Sequence, residues 1–274
     1  MKTLKNTLKK SLLLVLAASL LIGCGSKKTT DEKVIKVGAT AVPHAMVLND
    51  VVKDILAKDG WTLEVVEFTD YVTPNTSLEE GELDANYFQT YGYLVDQNES
   101  RGLHLVPVQG VHYEPMQIFS KNYSSLADFA EGDTIAIPND FDNEKRALTV
   151  VSDAGLIVYD ASLVAADGSP LDGIVENPLG LEFKEVEAAN VPQANDDTAG
   201  LVVNGNYALE SNLKDKSTSV FVEVPDIAAR TNYLVVKEGN EETEKTQALI
   251  KAITDPSVKD YIAEHYGSAV VPVF

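Results

Sequence analysis

Residues 134–148 read TIAIPNDFDNEKRAL, and this stretch indicates the fold of the whole chain. Its apolar start, residues 134–137, predicts a short buried strand that ends at Pro138, because proline cannot donate a hydrogen bond to a central ladder. The small polar residues that follow are typical helix N-caps, and apolar residues at helical spacing then continue to Gly155. The stretch therefore predicts a strand, a polar loop and a helix, the repeating unit of an α/β protein.

Arg146 lies within the first turn of that predicted helix, where a cation faces the positive end of the helix dipole. The local residues leave two interpretations open. In the first, the nearby acids Asp142 and Glu144 neutralise the arginine. In the second, Arg146 and the free N–H groups of the first turn await an external anion such as a carboxylate.

The N-terminal residues have the pattern of a secretory signal. Four lysines precede the apolar run of residues 12–22, which is too short to span a bilayer. The run ends in Leu-Ile-Gly followed by Cys24, the only cysteine of the chain, and this ending resembles a bacterial lipobox. We therefore expect removal of residues 1–23, lipidation of Cys24 as the mature N-terminus, and a flexible tether over residues 24–33. An ordinary signal anchor with an incidental cysteine is the alternative.

The charge of the chain excludes several classes of partner. The 274 residues include 42 acidic and 22 basic side chains, a net charge of −20, and loss of the four lysines in residues 1–23 would make it −24. This balance argues against nucleic acid and against an anionic membrane surface as partners. The acids are scattered rather than gathered in one tract, so solubility explains them. No segment after the signal is apolar enough to cross a membrane.

After residue 33, strand patterns and helix patterns alternate, which predicts mostly parallel sheets flanked by helices. The pattern divides into two comparable α/β halves near residue 120, and two helices follow the second half. We therefore expect a first lobe formed by residues 34–120 and 231–274 and a second lobe formed by residues 121–230. Both crossings between the lobes should lie at one hinge.

Polar and aromatic residues recur in the loops after the predicted strands, where open α/β sheets bind ligands. These loops are residues 40–44, 69–75, 86–93, 111–114, 139–146 and 204–207. Their amides and Arg146 suit the backbone of an amino acid, with the guanidinium paired to the carboxylate. Their aromatic rings suit an apolar or sulfur-containing side chain. The rings are those of Tyr71, Phe88, Tyr91 and Tyr113. For each ring alone, core packing is the favoured explanation, but the recurrence of the rings just past strand ends favours a binding site for the set.

The sequence carries no familiar enzymatic motif. Its four histidines form no HExxH motif, and the GxSxG and Walker motifs are missing as well. His112 begins an H-x-E fragment like that of zinc deaminases, but the paired cysteines of such a site are missing. We therefore expect no catalytic residue, no metal and no cofactor, and we expect His112 in a pocket or in the core.

Several sequence blocks together resemble one known family. After the lipobox they run in the order VGATAVPHA, EFTDYVTPN, GELDANYFQ, VHYEPM, AIPNDFDNEKRAL, ENP and NGNYALE. This order is similar to that of the NlpA/MetQ lipoproteins, the substrate-binding components of methionine ABC importers, over nearly the whole mature chain. The resemblance implies a two-lobed periplasmic-binding-protein fold of type II, in which the lobes close around a ligand in the cleft.

The resemblance also implies a set of ligand-binding residues, taken from matching positions in these blocks. They are Tyr71, Phe88, His112 and Tyr113 from the first lobe, Asn139, Arg146 and Asn204 from the second lobe, and Asn232 near the hinge. In this set Arg146 binds the carboxylate, the asparagines bind polar groups, and the remaining side chains surround the side chain of the ligand. The family usually has a histidine and a proline where this chain has Thr90 and Gly92.

The resulting hypothesis is a non-catalytic receptor, anchored to the cell membrane by its lipid and facing the outside or the periplasm. It captures methionine, with L-methionine expected first, and delivers it to an ABC permease and its ATPase. One alternative keeps the receptor but changes its cargo to D-methionine, a dipeptide or another amino acid. The other alternative is a surface adhesin or signalling lipoprotein that takes no part in transport.

Overall fold

The computed structural model describes residues 33–274, so the lipobox and Cys24 lie outside the described residues. Within this range no helix combines the length and the apolar composition that crossing a bilayer requires. The described strands form a six-stranded sheet, a five-stranded sheet and a small two-stranded ribbon.

The first sheet contains the strands nearest to the two ends of the described chain. These are β1 (Val34–Thr40), β2 (Thr62–Phe68), β3 (Ala85–Thr90), β4 (Leu105–Tyr113), β12 (Thr231–Lys237) and β13 (Val271–Pro272). Their spatial order is β13-β4-β12-β3-β1-β2. Strand β1 pairs in parallel with β2 and β3, whereas β12 pairs antiparallel with β3 and β4.

The second sheet is formed by the middle of the chain. Its strands are β5 (Gln117–Ser120), β6 (Thr134–Pro138), β9 (Glu182–Val186), β10 (Gly200–Val203) and β11 (Thr218–Val222). Their order is β11-β5-β10-β6-β9, with β6 parallel to both neighbours and β5 antiparallel to both of its own. The ribbon pairs β7 (Val158–Tyr159) with β8 (Ile174–Glu176).

Helices connect the strands and flank both sheets. They are α1 (Lys53–Lys58), α2 (Thr73–Glu79), α3 (Tyr91–Arg101), α4 (Phe141–Asp153), α5 (Gly205–Glu210), α6 (Ile227–Arg230), α7 (Glu244–Ile253) and α8 (Pro256–Tyr266). An irregular turn at Ala41–Ala45, in which the backbone of Val42 is extended, and a π-helical turn at Leu48–Val52 precede α1. Residues Ala188–Asp196 form a 3₁₀-helix, and Pro192 supplies no backbone donor in its interior.

Each sheet buries its own hydrophobic core beneath its helices. The core of the first sheet includes Leu48 and Ile253, and the core of the second sheet includes Ile135 and Leu148. The chain therefore folds as two lobes, each packed around a separate core, and the two-lobed α/β fold implied by the resemblance is confirmed.

The sheets differ from the sequence prediction in two respects. Each is mixed rather than mostly parallel, because β12 and β5 enter their sheets from the other lobe and run opposite to their neighbours. In addition, residues 117–120, which the predicted division placed in the first lobe, form β5 of the second sheet.

The two crossings between the lobes run side by side, at residues 114–116 and 223–230. The backbone N–H of Glu223 donates to the carbonyl of Met116 at 2.9 Å. The N–H of Met116 donates in return to the Glu223 carboxylate at 3.0 Å. These contacts bring both crossings to one hinge at the base of the cleft between the lobes.

Candidate ligand-binding site

A narrow cleft lies between the two lobes. Its lining is mostly polar, with a few aromatic rings. It consists of Tyr71, Phe88, Gln89, Thr90, Tyr93, Glu114, Asn143, Arg146, Asn204, Gly205, Asn206 and Asn232. Both lobes and one hinge crossing contribute to it, so a ligand held here would touch both lobes at once.

Tyr71 lies at the centre of an aromatic group that spans the two lobes. Its ring centroid is 5.8 Å from that of Phe88 and 5.6 Å from that of Tyr93, both in the first lobe. Across the cleft, the ring of Tyr207 on α5 lies 4.9 Å away. Aromatic rings at these separations attract one another and present an apolar wall to the cleft.

Two tyrosine hydroxyls form hydrogen bonds from one lobe to the other. The hydroxyl of Tyr71 donates to Oδ1 of Asn206 at 2.6 Å, and the hydroxyl of Tyr207 donates to the carbonyl of Thr69 at 3.2 Å. These direct contacts join the two lobes across the cleft.

Arg146 lies in the second turn of α4, not in its first turn as predicted. The helix begins at Phe141, and its N-cap is Asp140, whose carboxylate accepts from the N–H of Asn143 at 3.0 Å. This capping satisfies the helix end locally, so Arg146 does not face the positive end of the dipole.

Arg146 is paired with Glu223, which the sequence analysis did not consider. Its Nε and Nη2 donate to the two carboxylate oxygens of Glu223 at 2.8 and 2.6 Å, and Nη2 also donates to the carbonyl of Glu114 at 2.8 Å. Asp142 and Glu144 form no ion pair with it among residues 33–274. The remaining nitrogen, Nη1, donates to no protein group in the described chain and is left for the cleft.

The pair between Arg146 and Glu223 stays charged. Burial acts against both charges, but the hydrogen bonds and the opposite charge outweigh it. The pKa of Arg146 is therefore raised and the pKa of Glu223 is lowered. A bidentate pair of this kind fixes the plane of the guanidinium as well as its charge.

Glu114 is the second charged group of the cleft, and it is only 5% exposed. Burial raises the pKa of its carboxyl, although His44, Arg146 and the backbone N–H of Asn206 act in the opposite direction. Gly205 leaves room for the side chain of Glu114. A Cβ at Gly205 would lie 2.8 Å from both Cβ and Oε2 of Glu114, closer than real contacts allow.

Two amide atoms in the cleft are buried without a protein partner in the described chain. Asn204 uses its Nδ2 to donate to Oδ1 of Asn143 at 2.7 Å, which leaves its own Oδ1 unpaired. Asn206 accepts from Tyr71 through Oδ1, which leaves its Nδ2 unpaired. Since buried polar atoms are almost always paired, a free acceptor and a free donor in one cleft need an explanation.

The cleft brings together some of the predicted site residues and not others. Those that line it are Tyr71, Phe88, Arg146, Asn204 and Asn232. His112 and Tyr113 do not, because the predicted loop at residues 111–114 is mainly the end of β4 and both side chains are buried behind the cleft. Asn139 is exposed and precedes the N-cap of α4, outside the lining.

Six lining residues with polar or aromatic side chains were missed by the prediction. They are Gln89, Thr90, Tyr93, Glu114, Asn143 and Asn206. All six lie within the polar loops 86–93, 111–114, 139–146 and 204–207 that the sequence analysis had selected. Asn143 is three residues before Arg146, a spacing that puts both on one face of a helix, so helical periodicity was the available signal.

Thr90 and Gly92, which depart from the family pattern, lie where α3 meets the cleft. Thr90 lines the cleft, and its hydroxyl caps α3 by accepting from the N–H of Tyr93 at 3.4 Å. A Cβ at Gly92 would lie 2.5 Å from Oδ1 of Asp142 on α4. The glycine thus permits the close approach of helices from the two lobes.

The two lobes, the hinge and the polar cleft define a two-lobed substrate-binding protein of the type II periplasmic class. Within that class, the chain belongs to the NlpA lipoprotein family, whose model matches residues 35–274. The family resemblance drawn from the sequence blocks is thereby confirmed.

Named relatives match over nearly their full lengths. The methionine-binding lipoprotein MetQ of Bacillus subtilis (strain 168) is 35% identical over 266 residues, 95% of this chain and 96% of that protein. The D-methionine-binding lipoprotein MetQ of Escherichia coli O157:H7 is 34% identical over 253 residues, 92% of each. A solved nutrient binding protein from Burkholderia cenocepacia, bound to methionine, has a TM-score of 0.82 at 34% identity and covers 88% of this chain and 100% of that one.

Proposed function

We propose that the cleft binds a free amino acid, methionine before others, and that the protein delivers it to an ABC permease and its ATPase. The observation that carries the proposal is the pair of unpartnered buried atoms, the acceptor Oδ1 of Asn204 and the donor Nδ2 of Asn206. An amino acid zwitterion supplies the opposite group to each, a donor in its ammonium and an acceptor in its carboxylate.

The carboxylate end of the ligand is assigned to Arg146 and Asn206. Nη1 of Arg146 is free of protein partners in residues 33–274, while Glu223 holds the other edge of the guanidinium in place. Hydrogen bonds between a guanidinium and a carboxylate are among the strong ones in proteins. Nδ2 of Asn206 supplies a second donor from the neighbouring helix α5.

The ammonium end is assigned to Glu114 and Asn204. The carboxylate of Glu114 is buried and forms no ion pair with a lysine or arginine in the described chain. A ligand ammonium would supply that positive charge, and Oδ1 of Asn204 would accept one of its protons. A buried carboxylate without a cation is unfavourable by itself, so it favours a cationic ligand group.

The side chain of the ligand is assigned to the aromatic group around Tyr71. Contacts between a thioether sulfur and an aromatic ring stabilise by about 0.3–1.5 kcal/mol each, which suits methionine. The relatives named for methionine and the methionine-bound neighbour support this cargo. The relative named for D-methionine makes stereochemistry a question for measurement.

Delivery to a permease requires the lobes to part. The two crossings at residues 114–116 and 223–230 are the places where the backbone can bend, as in other hinge-type binding proteins. The lipid on Cys24, with residues 24–33 as a tether, would hold the receptor at the outer face of the membrane. In this role the protein carries its ligand and performs no chemistry on it.

Native mass spectrometry of the purified protein, followed by calorimetry with L-methionine, D-methionine, other amino acids and dipeptides, tests the proposal. We expect bound methionine, or tight binding of one methionine enantiomer to protein freed of ligand by unfolding and refolding. A ligand at 100 times its Kd should add about 2.7 kcal/mol to the free energy of unfolding. If neither enantiomer binds but a dipeptide does, the receptor role stands and the cargo is corrected. A flat response to the whole panel would contradict the receptor role and favour an adhesin or signalling protein.

A further inference from the structure

Two buried histidines lie behind Glu114, outside the lining of the cleft. His44 is 1% exposed and follows strand β1, and His112 is 0% exposed near the end of β4. His112 precedes Glu114 by two residues, and Glu114 is the first residue after β4. The two imidazole rings also lie close together, with centroids 5.0 Å apart.

Both imidazoles direct one nitrogen at the same carboxylate oxygen. Nε2 of His112 lies 2.6 Å from Oε1 of Glu114, and Nε2 of His44 lies 3.5 Å from it. Nε2 of His44 also lies 3.3 Å from Oδ1 of Asn232, which lines the cleft. The histidines therefore hold Glu114 and Asn232, two of the groups that face the ligand.

The opposite nitrogens of the two rings are each held by a hydroxyl group. Nδ1 of His44 lies 2.8 Å from the hydroxyl of Thr40, and Nδ1 of His112 is hydrogen-bonded to the hydroxyl of Tyr87. An ionised carboxylate and an amide oxygen only accept, so they require a hydrogen on each Nε2. Each Nδ1 then accepts from its hydroxyl, and every member of the network has a partner.

The two rings donate without carrying a charge. Burial lowers the pKa of His44 to about 4 and that of His112 to about 3, so both are neutral at neutral pH. The other titratable side chains that act on Glu114 are one arginine and three tyrosines. They are Arg146, Tyr71, Tyr87 and Tyr266. Burial raises the pKa of each of these tyrosines, so they stay protonated and add no negative charge.

We propose that His44 and His112 are positioning residues, which hold the Glu114 carboxylate ionised and aimed at the ammonium group of the ligand. This inference rests on the proposed function and reassigns His112, which was expected to touch the ligand. Neutral donors suit the task, because a cationic partner would neutralise the carboxylate and compete with the ammonium group. The pair thus stabilises a negative charge while leaving it available.

The same three side chains form a possible set of metal ligands, with donor atoms within 4.8 Å of one another. The distances favour the hydrogen-bonded network. Two ligands of a tetrahedral zinc ion at about 2.1 Å lie about 3.4 Å apart. The 2.6 Å between Nε2 of His112 and Oε1 of Glu114 is instead a hydrogen-bond distance.

The test is methionine binding by calorimetry from pH 4.5 to 8.5 for the wild type, His112→Leu and His112→Gln. In the wild type, affinity should fall at acid pH as Glu114 takes up a proton. His112→Leu should weaken binding about 10-fold to 100-fold at neutral pH, the range for a lost hydrogen bond to a charged group. It should also move the acid midpoint upward by about one pH unit, because an unsupported carboxylate protonates more readily. His112→Gln keeps an N–H donor, so it should restore most of the affinity and bring the acid midpoint most of the way back to the wild-type value.

A matched control separates positioning from general destabilisation. Leu249→Ala opens a cavity in the core of the first lobe, away from the cleft, so it should lower Tm and leave the acid midpoint unchanged. If His112→Leu does not fold, Tyr87→Phe replaces it, since it removes only the hydroxyl behind His112. Tyr87→Phe should move the midpoint in the same direction by less.

The possible outcomes are distinct. If the wild type binds neither methionine nor any other amino acid or dipeptide, the proposed function is contradicted. If the wild type binds normally and folded His112→Leu has an unchanged acid midpoint, the positioning role alone is refuted. If His112→Leu does not fold, an unchanged midpoint in folded Tyr87→Phe refutes it instead. Stoichiometric zinc binding by the ligand-free wild type, lost in the His112 variant, would also overturn it and make the cluster a metal site.

Discussion

Arg146 and Glu114 have opposite charges in one cleft, and the protein supports them in opposite ways. Arg146 is paired with the carboxylate of Glu223 through two hydrogen bonds, so its charge is already compensated by the protein. Glu114 is held by two neutral imidazoles, and no lysine or arginine in the described chain forms an ion pair with it. The protein itself neutralises the charge of Arg146, whereas the charge of Glu114 is left for a ligand to neutralise.

This difference predicts different relations between stability and binding. Removing a member of a compensated pair leaves a buried charge alone, so it should harm both folding and binding. Removing an uncompensated buried charge should harm binding but relieve the folded protein of an unfavourable group. The two sides of the cleft can therefore be told apart by measuring both properties in the same variant.

The largest effect is expected for Arg146→Ala. Loss of the guanidinium should weaken binding by about 2–5 kcal/mol, as for other truncated partners of buried charge pairs. It should also lower Tm, because the buried Glu223 loses both hydrogen bonds to the guanidinium and keeps only the longer ion pair with Arg230 at 3.9 Å. Calorimetry and thermal melts measure the two effects, with Lys145→Ala as the control on the same helix but outside the cleft lining. Wild-type affinity in Arg146→Ala would show that Arg146 does not bind the carboxylate.

Glu114→Gln should weaken binding by about 1.5–3 kcal/mol, the worth of hydrogen bonds to a charged group. In contrast to Arg146→Ala, it should raise the Tm of the ligand-free protein at neutral pH. The sign follows from the raised pKa of Glu114, since burial favours the uncharged carboxyl and the stability it gives is lost as pH rises. A lower Tm with unchanged binding would contradict the predicted difference between Glu114 and Arg146.

Tyr71→Phe should weaken binding by about 1 kcal/mol, less than either charged group. It removes the hydroxyl that donates across the cleft to Asn206, a bond between two neutral groups. Tyr91→Phe is the matched control, because Tyr91 is 52% exposed and outside the lining. A loss as large as that in Arg146→Ala would mean that closure of the lobes, rather than charge, dominates affinity.

The smallest effect on binding is expected for Glu144→Gln, a buried carboxyl outside the cleft. Burial and the neighbouring carboxylate of Glu185 raise the pKa of Glu144 to about 8, so it is mostly protonated at neutral pH. An unfolded glutamate loses its proton near pH 4.5, so this group's contribution to stability is lost as pH rises from there to about 8. The Tm of Glu144→Gln minus that of the wild type should therefore increase between pH 5 and pH 8, because only the wild type loses this contribution. Affinity should be unchanged. A pH-independent difference would contradict this account.

The local patterns were enough to predict the fold class, but the direction of pairing depends on long-range contacts. Strand β6 and helix α4 lie close to where residues 134–148 placed them, because apolar periodicity and capping residues act locally. The antiparallel entry of β12 beside β3 joins residues far apart in sequence, and no local signal carries it.

The site was predictable where a residue's role depends on its own loop. Asn204 and Tyr71 follow strands and reach the cleft, as expected. The pairing of Arg146 with Glu223 joins residues 77 apart in sequence, so the nearby acids were the wrong partners to consider. His112 was misplaced for a related reason, because a polar residue late in a strand reads like a loop residue until its buried partners are known.

The aromatic contact across the cleft allows closure of the two lobes to be followed optically. Tyr71 and Tyr207 stand in different lobes with ring centroids 4.9 Å apart, so opening the lobes must separate two coupled chromophores. Trp61, the single tryptophan of the chain, is 8% exposed in the core of the first lobe and is absent from the cleft lining. Near-ultraviolet circular dichroism can therefore follow opening through the tyrosines, with the tryptophan bands as an internal reference and without any added label.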